Sequence, residues 1–177
     1  FTPNEYHKSM NDYFEKGITD HLAYGATVNV KDPYSDKYPV GGETALTDGL
    51  RGTNDYHFNW LGFEGYEMNA VVDMGKTRKI NNISVNFLQD AKSWVWIPHT
   101  VTFSGSTDGV NYQQIKSARK KTDEYDYEKI IESFSTKVEH IPFQFIRITT
   151  ESFIQCPDWH LGAGGQAWIF ADEIVIR

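Results

Sequence analysis

An all-β sandwich or jelly roll is the fold class this sequence predicts, on three observations. Short apolar runs recur about eight times between residues 26 and 176, several alternating apolar and polar with period two, the pattern of half-buried strands. Turn chemistry separates them: Asp32-Pro33, Gly41-Gly42, Asp48-Gly49, Met74-Gly75 and Asp108-Gly109 break regular structure between runs. Aromatic residues are abundant, with 11 Phe, 10 Tyr and 5 Trp among 177 residues, and such side chains favour pleated surfaces. This length suits one domain with a sizeable core. No internal repeat, low-complexity tract or second domain is evident.

The elements follow in order. Residues 3–16 read as a short helix that opens at Pro3, places Tyr6, Met10, Tyr13 and Phe14 on one face, and ends at Gly17. Of two readings, a docking helix or the tail of a preceding domain, the second is favoured, so residues 1–23 form an N-terminal linker and helical extension, and 24–177 the sandwich. His7 and His21 have no ligand partner at helical spacing and read as surface histidines. Ala26–Lys31 alternates as a first strand, and a breaker-rich loop from Asp32 to Gly42 follows. Met68–Asp73 is a strand closed by Met74-Gly75. Ile80–Phe87 buries Ile83, Val85 and Phe87, and His99–Ser104 buries Val101 and Phe103. Ser106–Asn111 is a hairpin turn on Asp108-Gly109, with Tyr112–Ile115 returning as its partner. Residues 119–129 read as charged and solvated. Phe143–Thr150 and Ile169–Ile176 complete the set.

Charge and cysteine content exclude several classes. The net charge of −7 disfavours nucleic acid or an anionic membrane as the main partner, since both reward a basic face. It suits a neutral ligand or a locally held cation. Cys156 is the only cysteine, so no internal disulfide forms. No apolar run approaches the roughly 20 residues that span a bilayer, and no signal peptide is seen. The first residue is Phe1 rather than Met, which reads as a processed product or an excised piece of a longer protein.

The stretch Ala45-Leu-Thr-Asp-Gly-Leu-Arg-Gly-Thr53 organises the chain. Its two glycines permit a tight loop, and Asp48 and Thr53 offer side-chain oxygens while the loop turns carbonyls inward. Two readings stand side by side: a hard-oxygen site of the kind Ca²⁺ takes, or a polar loop with an Asx-turn at Asp48. The EF-hand pattern is absent.

The order of these elements resembles the coagulation factor 5/8 type C (discoidin-like) family, whose bacterial members are family 32 carbohydrate-binding modules. The match runs through Ala45–Thr53, Ala70-Val-Val-Asp-Met-Gly75, Val101–Tyr112, Phe145-Ile-Arg-Ile148 and Ala171-Asp-Glu-Ile174, and spans roughly residues 24–177. Tyr38-Pro-Val-Gly-Gly42, Cys156-Pro-Asp-Trp-His160 and Gly162-Ala-Gly-Gly165 are similar to modules at the C-termini of Bacteroidota glycoside hydrolases of the chitobiase or β-hexosaminidase type. The resemblance implies a galactose-binding-like β-sandwich and a structural Ca²⁺. Its ligands would be the Asp48 carboxylate, the Thr53 hydroxyl and carbonyl, the Glu173 carboxylate, and carbonyls near Ala45, Arg51 and Ala171. The disulfide that ties the termini of animal members has no counterpart here.

Sugar sites combine aromatic faces with a few fixed polar groups. In the family these come from loops at one end of the sandwich, and three loops here carry suitable residues: Tyr56–Trp60, Gln89–Trp96 and Gln155–His160. The candidates are His57, Asn59, Trp60, Trp94, Asp158, Trp159 and His160. Trp60 has a competing reading as a core plug beside the loop. Trp94 is expected exposed and Trp96 packed, Trp168 reads as core, and Gly162–Gly165 reads as a hinge or close-packed turn rather than a phosphate cradle. The arginine that family galactose binders use has no counterpart, because Arg51 lies in the metal loop.

The implied function is a non-catalytic module that binds a glycan of neutral or N-acetylated sugars and holds its parent hydrolase there. Its other partner would be the catalytic domain of the same polypeptide. The alternative is a structural or protein-interaction module packed on that domain. An enzyme in its own right ranks last, since no catalytic signature is found. The isolated domain is expected to be monomeric, and the protein exported to the periplasm or cell surface of a Gram-negative bacterium.

Overall fold

The computed structural model describes residues 17–38 and 41–177; the expected helix at 3–16, with His7, lies outside the described residues. Among the described residues, ten strands form two antiparallel sheets. In chain order they are β1 (Thr27–Val30), β2 (Leu61–Glu64), β3 (Asn69–Lys79), β4 (Asn82–Gln89), β5 (Thr100–Ser106), β6 (Gln113–Arg119), β7 (Ile130–Lys137), β8 (Pro142–Glu151), β9 (Trp168–Ala171) and β10 (Val175–Ile176). One sheet runs β1-β3-β8-β5-β6. In the other, β4 pairs with β7 from Asn82↔Lys137 to Gln89↔Ile130, and with β10 at Ile83–Ser84 and β9 at Phe87. β2 closes that sheet against β9.

Period-two alternation makes the core. Ala70, Val72 and Met74 of β3 point inward, as do Ile83, Val85 and Phe87 of β4, Val101 and Phe103 of β5, and Ile146 and Ile148 of β8. The hairpin predicted at Asp108-Gly109 forms, with Gly109 at φ 72°. The Asp108 carboxylate accepts the amides of Val110 and Asn111, the Asn111 side-chain amide and the Ser106 hydroxyl. Those donors hold its carboxyl well below the usual range. Two strands escape the sequence pattern. β2 is four residues long and nearly all buried. β7, an edge strand, reads Ile-Ile-Glu-Ser-Phe-Ser-Thr-Lys without apolar alternation and keeps only Phe134 and Thr136 buried.

Residues 17–25, the first of which belong to the expected extension 1–23, are stitched to the sandwich. The Ile18 amide donates to the Gly49 carbonyl at 2.6 Å, Leu22 to Ile176 at 2.7 Å and Gly25 to Thr47 at 2.8 Å. The Arg177 guanidinium donates to the Asp20 carbonyl. Ala23 is fully buried.

Candidate functional site

Two regions gather the residues singled out above. The first is a carboxylate corner, where the Asp48-Gly49 turn meets the link between β9 and β10. The Leu46 carbonyl accepts the Ile174 amide at 2.8 Å, which clips the loop to that link. The Asx-turn forms, with Asp48 Oδ1 accepting the Leu50 amide at 2.9 Å. Arg51 Nη1 donates to Asp172 Oδ1 at 3.0 Å and to the Glu173 carbonyl at 3.1 Å. Asp172 also accepts the amides of Gly52 and Asn86 and the Asn86 side-chain amide. Burial pushes its carboxyl up to about 6, against the pull of Arg51 and these donors.

Glu173 is fully buried beside it. Its Oε1 meets His21 Nε2 at 2.9 Å, and its Oε2 is buried without a partner. The expectation of a surface His21 is therefore corrected: this side chain is fully buried against Glu173, because the segment carrying it is docked rather than free. Asp48 lies against Glu173; burial first, then the Glu173 carboxylate, pushes its carboxyl up to about 6. Two facing carboxylates, one with a buried and unpartnered oxygen, form a donor set that a hard cation would neutralise. Among the described residues no three His, Cys, Asp or Glu side chains gather as a metal-holding group, so carbonyl oxygens would have to complete a shell.

The implied ligands divide accordingly. Asp48 and Glu173 are brought together, and Ala45 and Ala171 are buried nearby in the loop and at the end of β9. Arg51 uses its side chain on Asp172 and Glu173, while its carbonyl accepts Asn59 Nδ2 at 3.3 Å. Thr53 departs from the implied role: its hydroxyl bridges the Asp55 backbone and its carbonyl accepts Trp60 Nε1 at 2.8 Å.

The second region is aromatic and lies where the loops 89–98, 121–129 and 152–167 meet. Trp96 is fully buried, as expected, and donates through Nε1 to the Glu124 carbonyl. Trp94 is 40% exposed with φ 66°, a left-handed backbone that a bulky residue seldom adopts. Its indole lies on the Gly162–Gly165 turn, where a Cβ on Gly162 would meet the ring at 2.6 Å and one on Gly165 at 2.7 Å. The close-packed reading of this turn holds, and the indole is the reason for it. Trp159 is half-buried, with its ring centroid 4.5 Å from Tyr125 and its edge toward Trp96. Asp158 is exposed beside it.

Three of the sugar-site candidates are engaged within the protein itself. Trp60 is fully buried with its ring packed on Gly52, so it is the core plug and offers no face to a ligand. His160 is buried: its Nδ1 accepts the Gly162 amide at 3.0 Å and its ring stacks on Tyr127. Asn59 sits at φ 58°, and its amide is tied to the Arg51 carbonyl, so it shapes the loop. His57 remains exposed. Asp55 Oδ1 holds its Nδ1 at 2.6 Å and Tyr56 stacks on the ring at 4.3 Å. Burial works against the Asp55 carboxylate, but the His57 amide and ring outweigh it and lower its pKa.

Residues 119–129 are more than a solvated charged stretch. Buried Gln89 donates through Nε2 to the carbonyls of Asp123 and Asp126, which lays Tyr125 on Trp159 and Tyr127 on His160. Tyr38, named above only as the start of the Tyr38–Gly42 match, is a further residue that joins the site region. It packs edge-on against Tyr56, His57 and Trp168 and joins loop 53–60 to the outer face of β9. The one available signal was the two tyrosines inside the charged run, at Tyr125 and Tyr127.

No protein-family model and no curated protein sequence matches this chain. Solved structures do. One is CpGH89CBM32-5 from Clostridium perfringens, in complex with GalNAc-β-1,3-galactose, with a TM-score of 0.55 at 16% identity, covering 89% of this chain and 99% of that one. A chitosan-binding module from a Paenibacillus chitosanase/glucanase scores 0.57 at 12% identity, covering 89% and 98%. A GH29 fucosidase of Ruminococcus gnavus in complex with fucose scores 0.59 at 12% identity, covering 95% of this chain but 28% of that one. At these identities the likeness is one of fold.

Proposed function

We propose that this chain is a non-catalytic carbohydrate-binding module that binds a glycan of neutral or N-acetylated sugars through Trp94, assisted by the Trp159–Tyr125 pair of the same loop region. The observation that carries the reading is Trp94. A left-handed tryptophan, seated on a turn of small residues with 40% of its surface free, is an aromatic face set in place before any ligand arrives. Strained backbone persists where the surroundings over-determine it, and such positions cluster at binding sites. An indole face stacks on the C–H face of a sugar ring. Asp158, and His57 on the neighbouring loop, are exposed and supply polar groups for hydroxyls.

Three matched structures are described by their sugars: GalNAc-β-1,3-galactose, chitosan and fucose. Their fold supports this reading, and tethering explains how such a module acts. Held to its glycan, it raises the local concentration of a linked enzyme. The parent in this reading is an exported chitobiase or β-hexosaminidase-type hydrolase of a Gram-negative bacterium. The reading also includes a structural Ca²⁺ held by Asp48 and Glu173 with neighbouring carbonyls, whose contribution would be to neutralise two carboxylates and tie the loop to the β9–β10 link. No helix among the described residues is long and apolar enough to cross a membrane.

The test is titration of the chain with N-acetylglucosamine, N-acetylgalactosamine, galactose, fucose and chitobiose in excess Ca²⁺, followed by tryptophan fluorescence. A shallow single site predicts Kd on the order of 0.1–1 mM, or about 4 to 5.5 kcal/mol. Trp94→Ala should abolish the change while the variant keeps its cooperative melt. No response from any sugar up to tens of millimolar would transfer the proposal to the protein-interaction alternative.

A further inference from the structure

We infer that the N-terminal segment 17–25 and the cation site at Asp48 and Glu173 are one coupled unit, with His21 as the positioning residue that joins them. The inference rests on the cation reading above and adds to it a residue outside the ligand set and a segment that precedes the first strand.

The geometry is specific. The Ala23 amide donates to His21 Nδ1 at 3.3 Å. Nδ1 therefore presents its lone pair, and Nε2 carries the hydrogen that it donates to Glu173 Oε1 at 2.9 Å. Both side chains are fully buried. That bond holds Oε1 of the Glu173 carboxylate and leaves its second oxygen, Oε2, buried and unpartnered, with Asp48 close enough to feel the Glu173 charge. The same segment grips the other ligand's turn. The Ile18 amide donates to the Gly49 carbonyl and the Gly25 amide to the Thr47 carbonyl, on either side of Asp48. A Cβ on Gly49 would stand 3.1 Å from the Ile18 carbonyl and from the Tyr24 ring, and 3.2 Å from Thr19. The segment thus touches Asp48's turn through its backbone and Glu173 through one imidazole.

A carboxylate held by a hydrogen bond on one oxygen is pre-aimed through the other, and removing such an outer partner typically costs about 10–100-fold in metal affinity. The coupling is reciprocal by linkage: a cation that draws Asp48 and Glu173 together stabilises the surface on which residues 17–25 are docked, and a docked segment improves the site.

The experiment uses the whole 177-residue chain, with calorimetric titration of CaCl₂ into EDTA-stripped protein and hydrogen exchange at the Ile18, Leu22 and Gly25 amides. Ca²⁺ should slow exchange at these three amides by about tenfold or more. His21→Ala should weaken Ca²⁺ binding by about 10–100-fold and abolish the slowing, and His21→Gln, whose amide donates the same bond, should restore most of both. A cooperative thermal melt for each variant shows that it folds. If Ca²⁺ binds the wild-type chain but His21→Ala binds it equally well and the three amides do not respond, the coupling is wrong and the cation reading stands. If Ca²⁺ does not bind the wild-type chain at all, while Asp48→Asn and Glu173→Gln behave like it, both fall together.

Discussion

Asp172 and Glu173 are neighbours in the chain, both fully buried, and their surroundings differ completely. Asp172 is closed: a guanidinium, two backbone amides and a side-chain amide converge on its two oxygens. Glu173 is half open: one oxygen holds His21, and the other is buried without a partner. An ionised carboxyl taken out of water is costly unless its lone pairs are met. The protein meets that cost by itself at Asp172 and leaves part of it unmet at Glu173. The first carboxylate is a structural knot between the Ala45–Thr53 loop, β4 and the β9–β10 link, and the second keeps one oxygen without a protein partner.

The comparison can be broken most forcefully at the closed member. Asp172→Ala strands Arg51 and the Asn86 and Gly52 donors, and should destabilise the fold by about 3–5 kcal/mol, read from the urea midpoint, with no recovery on adding Ca²⁺. The open member should behave in the opposite way. For wild-type protein, Ca²⁺ at about 100 times its Kd should add about 2.7 kcal/mol of stability. Glu173→Gln should lose that entire increment yet melt no lower than wild type in EDTA, since its amide can donate to Asp48. A Glu173→Gln variant that collapses like Asp172→Ala would erase the distinction between the two carboxylates.

The smallest effect is the pH profile in EDTA. The Asp48 carboxyl is raised to about 6 in the folded chain, against about 3.9 for an unfolded aspartate. The folded state therefore holds a proton that the unfolded state has released. The resulting stability is full below about pH 4 and is lost as pH rises through about 6. Asp172 contributes with the same sign, and Asp55 and Asp108, whose pKa values are lowered, with the opposite sign. The difference between wild type and Asp48→Asn isolates the Asp48 contribution. The wild-type melting temperature should fall relative to the variant between pH 4 and 7, and saturating Ca²⁺ should remove that fall. Parallel profiles would mean that Asp48 does not face an uncompensated charge.

The aromatic region carries a related lesson about legibility. Trp94 and Trp96 are two positions apart, and their flanks, Lys92-Ser93 against Ile97-Pro98, were enough to separate the exposed ring from the packed one. Trp60, His160 and Asn59 could not be sorted in that way. Their fates depend on Gly52, Tyr127 and the Arg51 carbonyl, partners that the local sequence does not name. Residues 121–129 look solvated because nothing nearby in the chain explains their two tyrosines. The explanation is Gln89, 34 residues from Asp123, which holds the segment down by its carbonyls.

By itself, then, the sequence determined what is local. Period-two alternation set most of the strands and their inward faces, Asp-Gly pairs set the hairpin and the Asx-turn, and the composition set the all-β class, because these follow from backbone sterics and from which face of a strand must leave water. Tertiary structure alone decided what needs two distant groups. It buried His21 on Glu173 across 152 residues, left one oxygen of Glu173 unpartnered beside Asp48, and seated the Trp94 indole on Gly162 and Gly165. The charge state of a carboxylate and the free face of an indole belong to their surroundings, and those surroundings exist only once the two sheets have closed.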